Sequence, residues 1–268
     1  MGNLYIIPNK NDIEASLAIA QKYNAHFEYN DFYFPDVLDN DAWIAELIAF
    51  YRSLPRDRSG DSLHGAFFDV TVHSNDAQIY KVSDRRIRQS MEIACALGVG
   101  AVIFHTNLIP NFKDRFYVDG WVSKNASYWR ALAAEYPQIK IYIENMFDED
   151  PDPIARLMRE LEDVPNVSVC LDYAHAVVFG KNPQRWLDAL LPYAAHVHVN
   201  DNDGVCDSHL AIGDGIVDYR LMDEAIRARG VTPTVLIETN DTANQIRSIE
   251  YLQRNGIYPF EKGGQTDA

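Results

Sequence analysis

Short runs of β-branched and aromatic residues alternate with stretches of helical periodicity from one end of the chain to the other. Eight runs predict strands, at 4–7, 25–30, 63–69, 101–106, 140–145, 167–172, 195–200 and 234–239. A stretch of helical periodicity follows each, the signature of repeated βα units around a parallel sheet. In the helix expected from Ser83, the residues Ile87, Met91, Ala94 and Cys95 share one face, and Gly98 stands at the stop. Asp152-Pro153 and Asn182-Pro183 each read as an N-cap followed by proline at the first helical position. A last helix over 242–254 puts Ile246, Ile249 and Leu252 on one side and ends before Gly256. No Gly-rich dinucleotide or phosphate fingerprint follows the first strand, and eight units suit closure better than an open sheet. The expected fold is therefore an α/β, single-domain (β/α)8 TIM barrel over residues 1–260, with a loose polar tail at 261–268.

Alternation along a barrel strand sends one set of residues inward and the other against the helices. On the fifth strand Ile141 and Ile143 take the helix side, which turns Tyr142 and Glu144 inward. The same parity turns Asp172 inward behind Val169 and Leu171, His198 and His196 behind Val197 and Val199, and Glu238 behind Val235 and Ile237. It also turns His105 inward behind Phe104, and leaves His64 inward near the start of the third strand. Catalytic groups of such barrels gather where the strands end. Three acids converging there would cost several kcal/mol of desolvation and repulsion, which a divalent cation removes. The admixture of imidazoles fits Mn²⁺, Zn²⁺ or Co²⁺ better than Ca²⁺. The metal set expected from parity is Glu144, Asp172, His198 and Glu238. His175 rises just past the sixth strand, and the loop after the seventh carries Asp207 and His209 among glycines that let it fold back over the mouth. His196, deeper than His198, is expected to be a hydrogen-bonded core residue, and Cys95, Cys170 and Cys206 small core residues without disulfides.

Composition narrows the setting. The chain has 268 residues, 47% of them hydrophobic, enough for one sizeable core. Its beginning lacks a basic region and a long apolar run, Ile6 breaks a myristoylation pattern, and no stretch approaches the ~18 apolar residues of a membrane span. A cytoplasmic location is expected, with no membrane association. The net charge of −15 disfavours polyanions. Locally, the loops at 30–41 and 147–153 are acidic, and Lys113, Arg115 and Lys124 are the only basic residues expected near the mouth. Arg85, Arg86 and Arg88 are expected on a solvated helix face. Phe32, Tyr33 and Phe34 would suit a lid over a small substrate, with Tyr117 and Trp121 of similar standing.

The segments IYIENM, LDYAHA, HVHVNDNDG, DSHLAIGDG and VLIETN resemble those of the xylose isomerase-like barrels. That superfamily joins sugar and sugar-phosphate isomerases and epimerases with endonuclease IV-type apurinic-site endonucleases. The resemblance runs from His64 to Glu238. It implies one divalent metal on Glu144, Asp172, His198 and Glu238, with His175 contacting substrate. In the endonuclease members three zinc ions also use positions matching His64, His105, His175, Asp207 and His209, and all of them are filled here by the same residue types. The acidic loops favour the first reading: a metal-dependent sugar, sugar-phosphate or polyol isomerase or epimerase. Glu144 and Glu238 would then transfer a proton through a metal-stabilised enediolate, with a small carbohydrate as substrate and nucleic acid disfavoured. The tri-zinc phosphodiesterase is the alternative, and assembly into a homo-oligomer is left open.

Overall fold

The computed structural model describes residues 3–261; Met1, Gly2 and residues 262–268, which make up nearly all of the expected tail, lie outside the described residues. Eight parallel strands close into a barrel in chain order: β1 (Leu4–Ile6), β2 (His26–Tyr29), β3 (Ser62–His64), β4 (Ala101–His105), β5 (Lys140–Glu144), β6 (Val167–Asp172), β7 (Ala194–Val199) and β8 (Thr234–Ile237). The ring shuts where β1 pairs with β8 through Leu4 and Val235, Tyr5 and Leu236, and Ile6 and Ile237. Around it lie α1 (Ile13–Tyr23), α2 (Pro35–Leu38), α3 (Asp41–Ser53), α4 (Ala77–Leu97), α5 (Arg115–Glu135), α6 (Asp152–Glu160), α7 (Tyr173–Val178), α8 (Pro183–Leu190), α9 (Tyr219–Arg229) and α10 (Thr242–Asn255). No described helix is long and apolar enough to cross a membrane.

The expected strand parity separates two apolar clusters. Phe27, Leu63, Val102, Phe104, Ile141, Ile143, Val169, Leu171, Val197, Val199, Val235 and Ile237 belong to the large cluster that packs against the helices. Ala101, Ile103, Tyr142 and Cys170 form a small second cluster inside the barrel. The inner wall is thus apolar only in patches, and many of its other positions are polar and buried: Glu28, Ser62, His64, His105, Glu144, Asp172, His196 and His198.

Four expectations change. β3 ends at His64, so this histidine stands at the mouth and not near a strand start. Gly65 follows it with one more ladder bond, to Ile103 O at 2.8 Å, and a Cβ there would lie 2.3 Å from the Phe104 ring. Phe67 and Phe68, read as strand, leave the sheet and fold over the mouth, where Phe67 packs on His64 and His105. Second, Cys95 and Cys206 are exposed, and only Cys170 is a core residue. Cys95 lies beside the face of α4 that buries Ile87, Met91 and Ala94, and Cys206 lies on the loop after β7. Third, Asp152 is the first residue of α6 and Pro151 its N-cap; the Asp152 carboxylate is taken by Arg185 at 2.9 Å. Fourth, Phe32 is buried in the main core beside Tyr51, so only Tyr33 and Phe34 remain at the rim. Trp121 is likewise buried, its indole donating to Thr106 O.

Candidate metal centre

The C-terminal ends of β5, β6, β7 and β8 bring four side chains to one place. Glu144, Asp172, His198 and Glu238 each offer a ligand atom, all within 4.8 Å of one another and all buried. His198 Nδ1 lies 3.3 Å from Glu144 Oε1 and 3.6 Å from Glu238 Oε2. Two ligands on one tetrahedral ion with bonds near 2.1 Å are separated by about 3.4 Å, so these spacings suit a shared cation. Four atoms of the cluster make no hydrogen bond: both Glu144 oxygens, Asp172 Oδ2 and His198 Nδ1 are buried and unpartnered. Buried acids left in that state are costly, and a cation of the kind this donor set suits would relieve them.

Neighbouring groups hold the acids in place. Asn145, next along from Glu144, clamps the backbone of Asp172 in both directions: its Nδ2 donates to Asp172 O at 2.8 Å and its Oδ1 accepts from Asp172 N at 2.9 Å. Asp172 caps α7, accepting from His175 N at 2.6 Å, which fixes where the following helix lifts His175. Asn200 donates to Glu238 Oε2 at 3.3 Å.

The remaining predicted residues sit around this core in two groups. His64 and His105 turn their Nε2 atoms to the other oxygen of Glu144, at 3.6 and 3.3 Å, and lie 3.2 Å from each other. These three residues form a second set of ligand atoms within 4.8 Å. On the opposite side, Asp207 Oδ2 stands between His175 Nε2 at 3.1 Å and His209 Nε2 at 2.9 Å. The loop after β7 reaches this position by folding back as expected, with Asp201 and Leu210 paired in a bridge. Gly215 passes so close to the Asn202 carbonyl that a Cβ would lie 2.2 Å from it, which only glycine permits.

The electrostatics follow from this crowding. Burial raises the Glu144 carboxyl, but the imidazoles of His198 and His105 outweigh it and hold the group well below the usual range. Asp172 goes the other way: burial raises it, His175 relieves it in part, and Glu238 and Glu144 add to the rise. His175 is driven well above the usual imidazole value despite burial, because Asp172 and Asp207 face it. His209, despite burial, is pushed up to about 10 by Glu238 and Asp207.

Above the ligands opens a cavity of about 290 Å³ whose lining includes Tyr33, Phe67, Phe68, Met146, Phe147 and Asn240. No lysine or arginine lines it among the described residues. The basic residues expected near the mouth are engaged elsewhere: Lys113 with Glu149 at 3.2 Å, Arg115 with Asp119 at 3.6 Å, and Lys124 with His73 O and Asn75. On α4, Arg85 and Arg86 both reach Asp39 and Arg88 reaches Asp84 and Glu135. One acidic residue of the inner wall is missed from the sequence. Glu28 on β2 lies just below His198, and the same parity that places Phe27 and Tyr29 outward would have turned it inward.

A closed (β/α)8 barrel whose C-terminal mouth carries a buried acid and imidazole cluster able to bind a metal ion is the class that fold and site define. This chain belongs to the xylose isomerase-like TIM barrel family, whose sequence profile matches residues 57–255. Among its relatives, the uncharacterized protein MJ1311 of Methanocaldococcus jannaschii is 27% identical over 202 residues, 71% of this chain and 68% of the relative. A D-tagatose 3-epimerase-like protein shares the fold with a TM-score of 0.71 and 22% identity, the match covering 94% of this chain and 96% of that one. The TTHB071 protein of Thermus thermophilus, from a crystal soaked with zinc chloride, also has a TM-score of 0.71, at 23% identity and 94% and 97% coverage.

Proposed function

We propose that the protein is a divalent-metal-dependent isomerase or epimerase of a sugar or polyol, with Mn²⁺, Zn²⁺ or Co²⁺ on Glu144, Asp172, His198 and Glu238. The observation that carries this reading is the pair Glu144 and Glu238, which flank His198 Nδ1 beneath a small cavity lined by no lysine or arginine among the described residues. A cation held there would polarise a substrate carbonyl and offset the negative charge that grows beside it. Glu144 and Glu238 come from strands on different sides of the site, so one can remove a carbon-bound proton and the other return it. Return at the opposite face epimerises the carbon, and return at the neighbouring carbon isomerises the chain. His209 is held by its Nδ1 donating to Glu238 O at 2.9 Å, and His175 by its Nδ1 donating to Asn145 O at 2.9 Å. Their Nε2 atoms both meet Asp207 Oδ2, so the three residues would bind substrate hydroxyls as one group. Tyr33, Phe67 and Phe68 close the apolar side of the cavity and exclude water. At about 290 Å³ the cavity lies at the small end of the roughly 300–1,000 Å³ usual for ligand sites, which fits a monosaccharide or cyclitol and excludes a polymer from its interior.

The test is deuterium wash-in from D2O into a panel of ketoses and inosose-like polyols by the metal-loaded protein. Exchange at a carbon next to a carbonyl, lost in Glu238→Gln with an unchanged circular dichroism spectrum, is the expected result. A tri-zinc phosphodiesterase is the second reading, favoured by the two further groups, His64 with His105 on Glu144 and His175 with His209 on Asp207. Three zinc ions per chain, with nicking of an abasic oligonucleotide and no wash-in, would replace the first reading by the second.

A further inference from the structure

Glu28 has no part in the proton transfers above, yet it is fully buried one layer beneath the metal ligands. A carboxylate in such a place persists only where donors meet both oxygens. Oε2 accepts from Ser62 Oγ at 2.7 Å and lies 3.4 Å from His196 Nε2. Oε1 has no hydrogen-bond partner, and the ring nitrogen that approaches it, His198 Nε2 at 3.3 Å, has none either.

The positions of the protons decide what these neighbours can give. Thr234 Oγ1 lies 3.2 Å from Ala195 O, which can only accept, and 2.6 Å from His196 Nδ1, so the arrangement that satisfies all three atoms has Thr234 donating to Ala195 and accepting from His196. His196 therefore carries its proton on Nδ1, and its neutral form has none for Glu28. Oε1 is left to His198. That ring also bears a single proton when neutral. Placed on Nδ1, the proton would point among Glu144 and Glu238 and fill the position of a cation. Placed on Nε2, it meets Glu28 and leaves a lone pair on Nδ1.

We infer that Glu28 is a positioning residue of the metal centre: it takes the Nε2 proton of His198 and thereby presents Nδ1 unprotonated, in a fixed ring orientation, to the cation. Carboxylates in this relation to a ligating histidine raise its basicity, and their loss typically costs 10–100-fold in metal affinity. The inference rests on the metal-dependent reading above and would hold for an isomerase or a phosphodiesterase alike. The rival arrangement is a separate ion beneath the mouth, since Cys170, His196 and His198 also place ligand atoms within 4.8 Å of one another.

The test uses the full chain and Zn²⁺ or Mn²⁺ alone. Affinity is measured by competition with a chromophoric chelator for wild type, Glu28→Gln and Glu28→Met. Glu28→Met should weaken binding about 10- to 100-fold while the melting temperature of the metal-free protein holds or rises, because a buried charge has gone. Glu28→Gln keeps an acceptor and should recover much of that loss, remaining within about tenfold of wild type. Nitrogen NMR of the zinc-loaded wild type should find the His198 proton on Nε2. Unchanged affinity in both variants while wild type binds metal overturns this inference alone, and a wild type that binds no metal overturns it together with the proposed function. A thiolate charge-transfer band in the Co²⁺-loaded protein, lost in Cys170→Ser, also overturns it, since His198 Nε2 would then face a second ion. Should Glu28→Met fail to fold, a Glu28→Gln affinity equal to wild type, with no proton on His198 Nε2, overturns the inference in its place.

Discussion

Asp172→Asn should make the protein more stable without metal and less responsive to it. The side chain is fully buried, with Oδ1 accepting from His175 N at 2.6 Å and Oδ2 lacking a hydrogen-bond partner. Asparagine has the same shape and keeps the cap to α7 through its own Oδ1. The Asp172 carboxyl is raised well above its usual value, by burial first and then by Glu238 and Glu144 against the relief from His175. A carboxyl raised on folding binds its proton more tightly in the folded state. Metal-free wild type therefore loses stability as pH climbs from the unfolded value, about 3.9, through the higher folded one. Removing this penalty at pH 8 should stabilise the metal-free variant by about 1–3 kcal/mol, the range for relieving an unsatisfied buried polar or charged group. At about 2 °C per kcal/mol for a chain of this length, the melting temperature rises by about 2–6 °C. With metal at 100 to 1,000 times its Kd, wild type gains about 2.7–4.1 kcal/mol, or about 5–8 °C. If losing one ligand weakens binding about 100-fold, the variant gains only about 0.4–1.4 kcal/mol at the same concentration. Thermal unfolding of chelator-treated and metal-loaded samples at pH 6 and pH 8 reads all four states. A variant that melts below wild type without metal at pH 8, or responds to metal as strongly as wild type, refutes the reasoning.

Two further outcomes are expected. Asp207 is held well below the usual carboxylate range, its burial outweighed by His175 and His209, while His209 is pushed up to about 10. The first contribution is present above about pH 4 and lost as pH falls through the depressed value. The second is full below about pH 6.5 and lost as pH rises through about 10. Metal-free Asp207→Asn should thus lose most stability relative to wild type between about pH 4 and 6.5, and a melting-temperature difference that does not narrow towards pH 10 would contradict this. Asp148 is raised to about 6 by burial, although Thr106 Oγ1 and Met146 N donate to it at 2.6 and 2.8 Å. A raised carboxyl loses its contribution as pH climbs through 6, so Asp148→Asn should gain on wild type between pH 5 and 8. From 3.8 to about 6 the gain is at most about 3 kcal/mol, and urea unfolding that shows the variant losing ground over that interval would reject it.

The alternation of apolar runs with helical periodicity is local, and it was enough to predict eight strands, the closed barrel and the inward face of Glu144, Asp172, His198 and Glu238. Side-chain direction on a strand depends only on parity, so one sequence carries it. Glu28 was legible by the same rule, since Phe27 and Tyr29 on either side of it face the helices. What parity cannot supply is depth, because the height of each residue along the barrel depends on how neighbouring strands are staggered. Pairing His105 with Glu144, Asp172 with His198 and Val199 with Ile237 brings the strand ends to one level, and this register exists only in the closed sheet. The end of β3 at His64 and the exposure of Cys95 and Cys206 were likewise decided by packing around the barrel. The two oxygens of Glu144 facing different imidazoles, and the two nitrogens of His198 facing different carboxylates, belong to tertiary structure for the same reason. Sequence determines which groups point inward; the stagger of the strands determines which atoms meet.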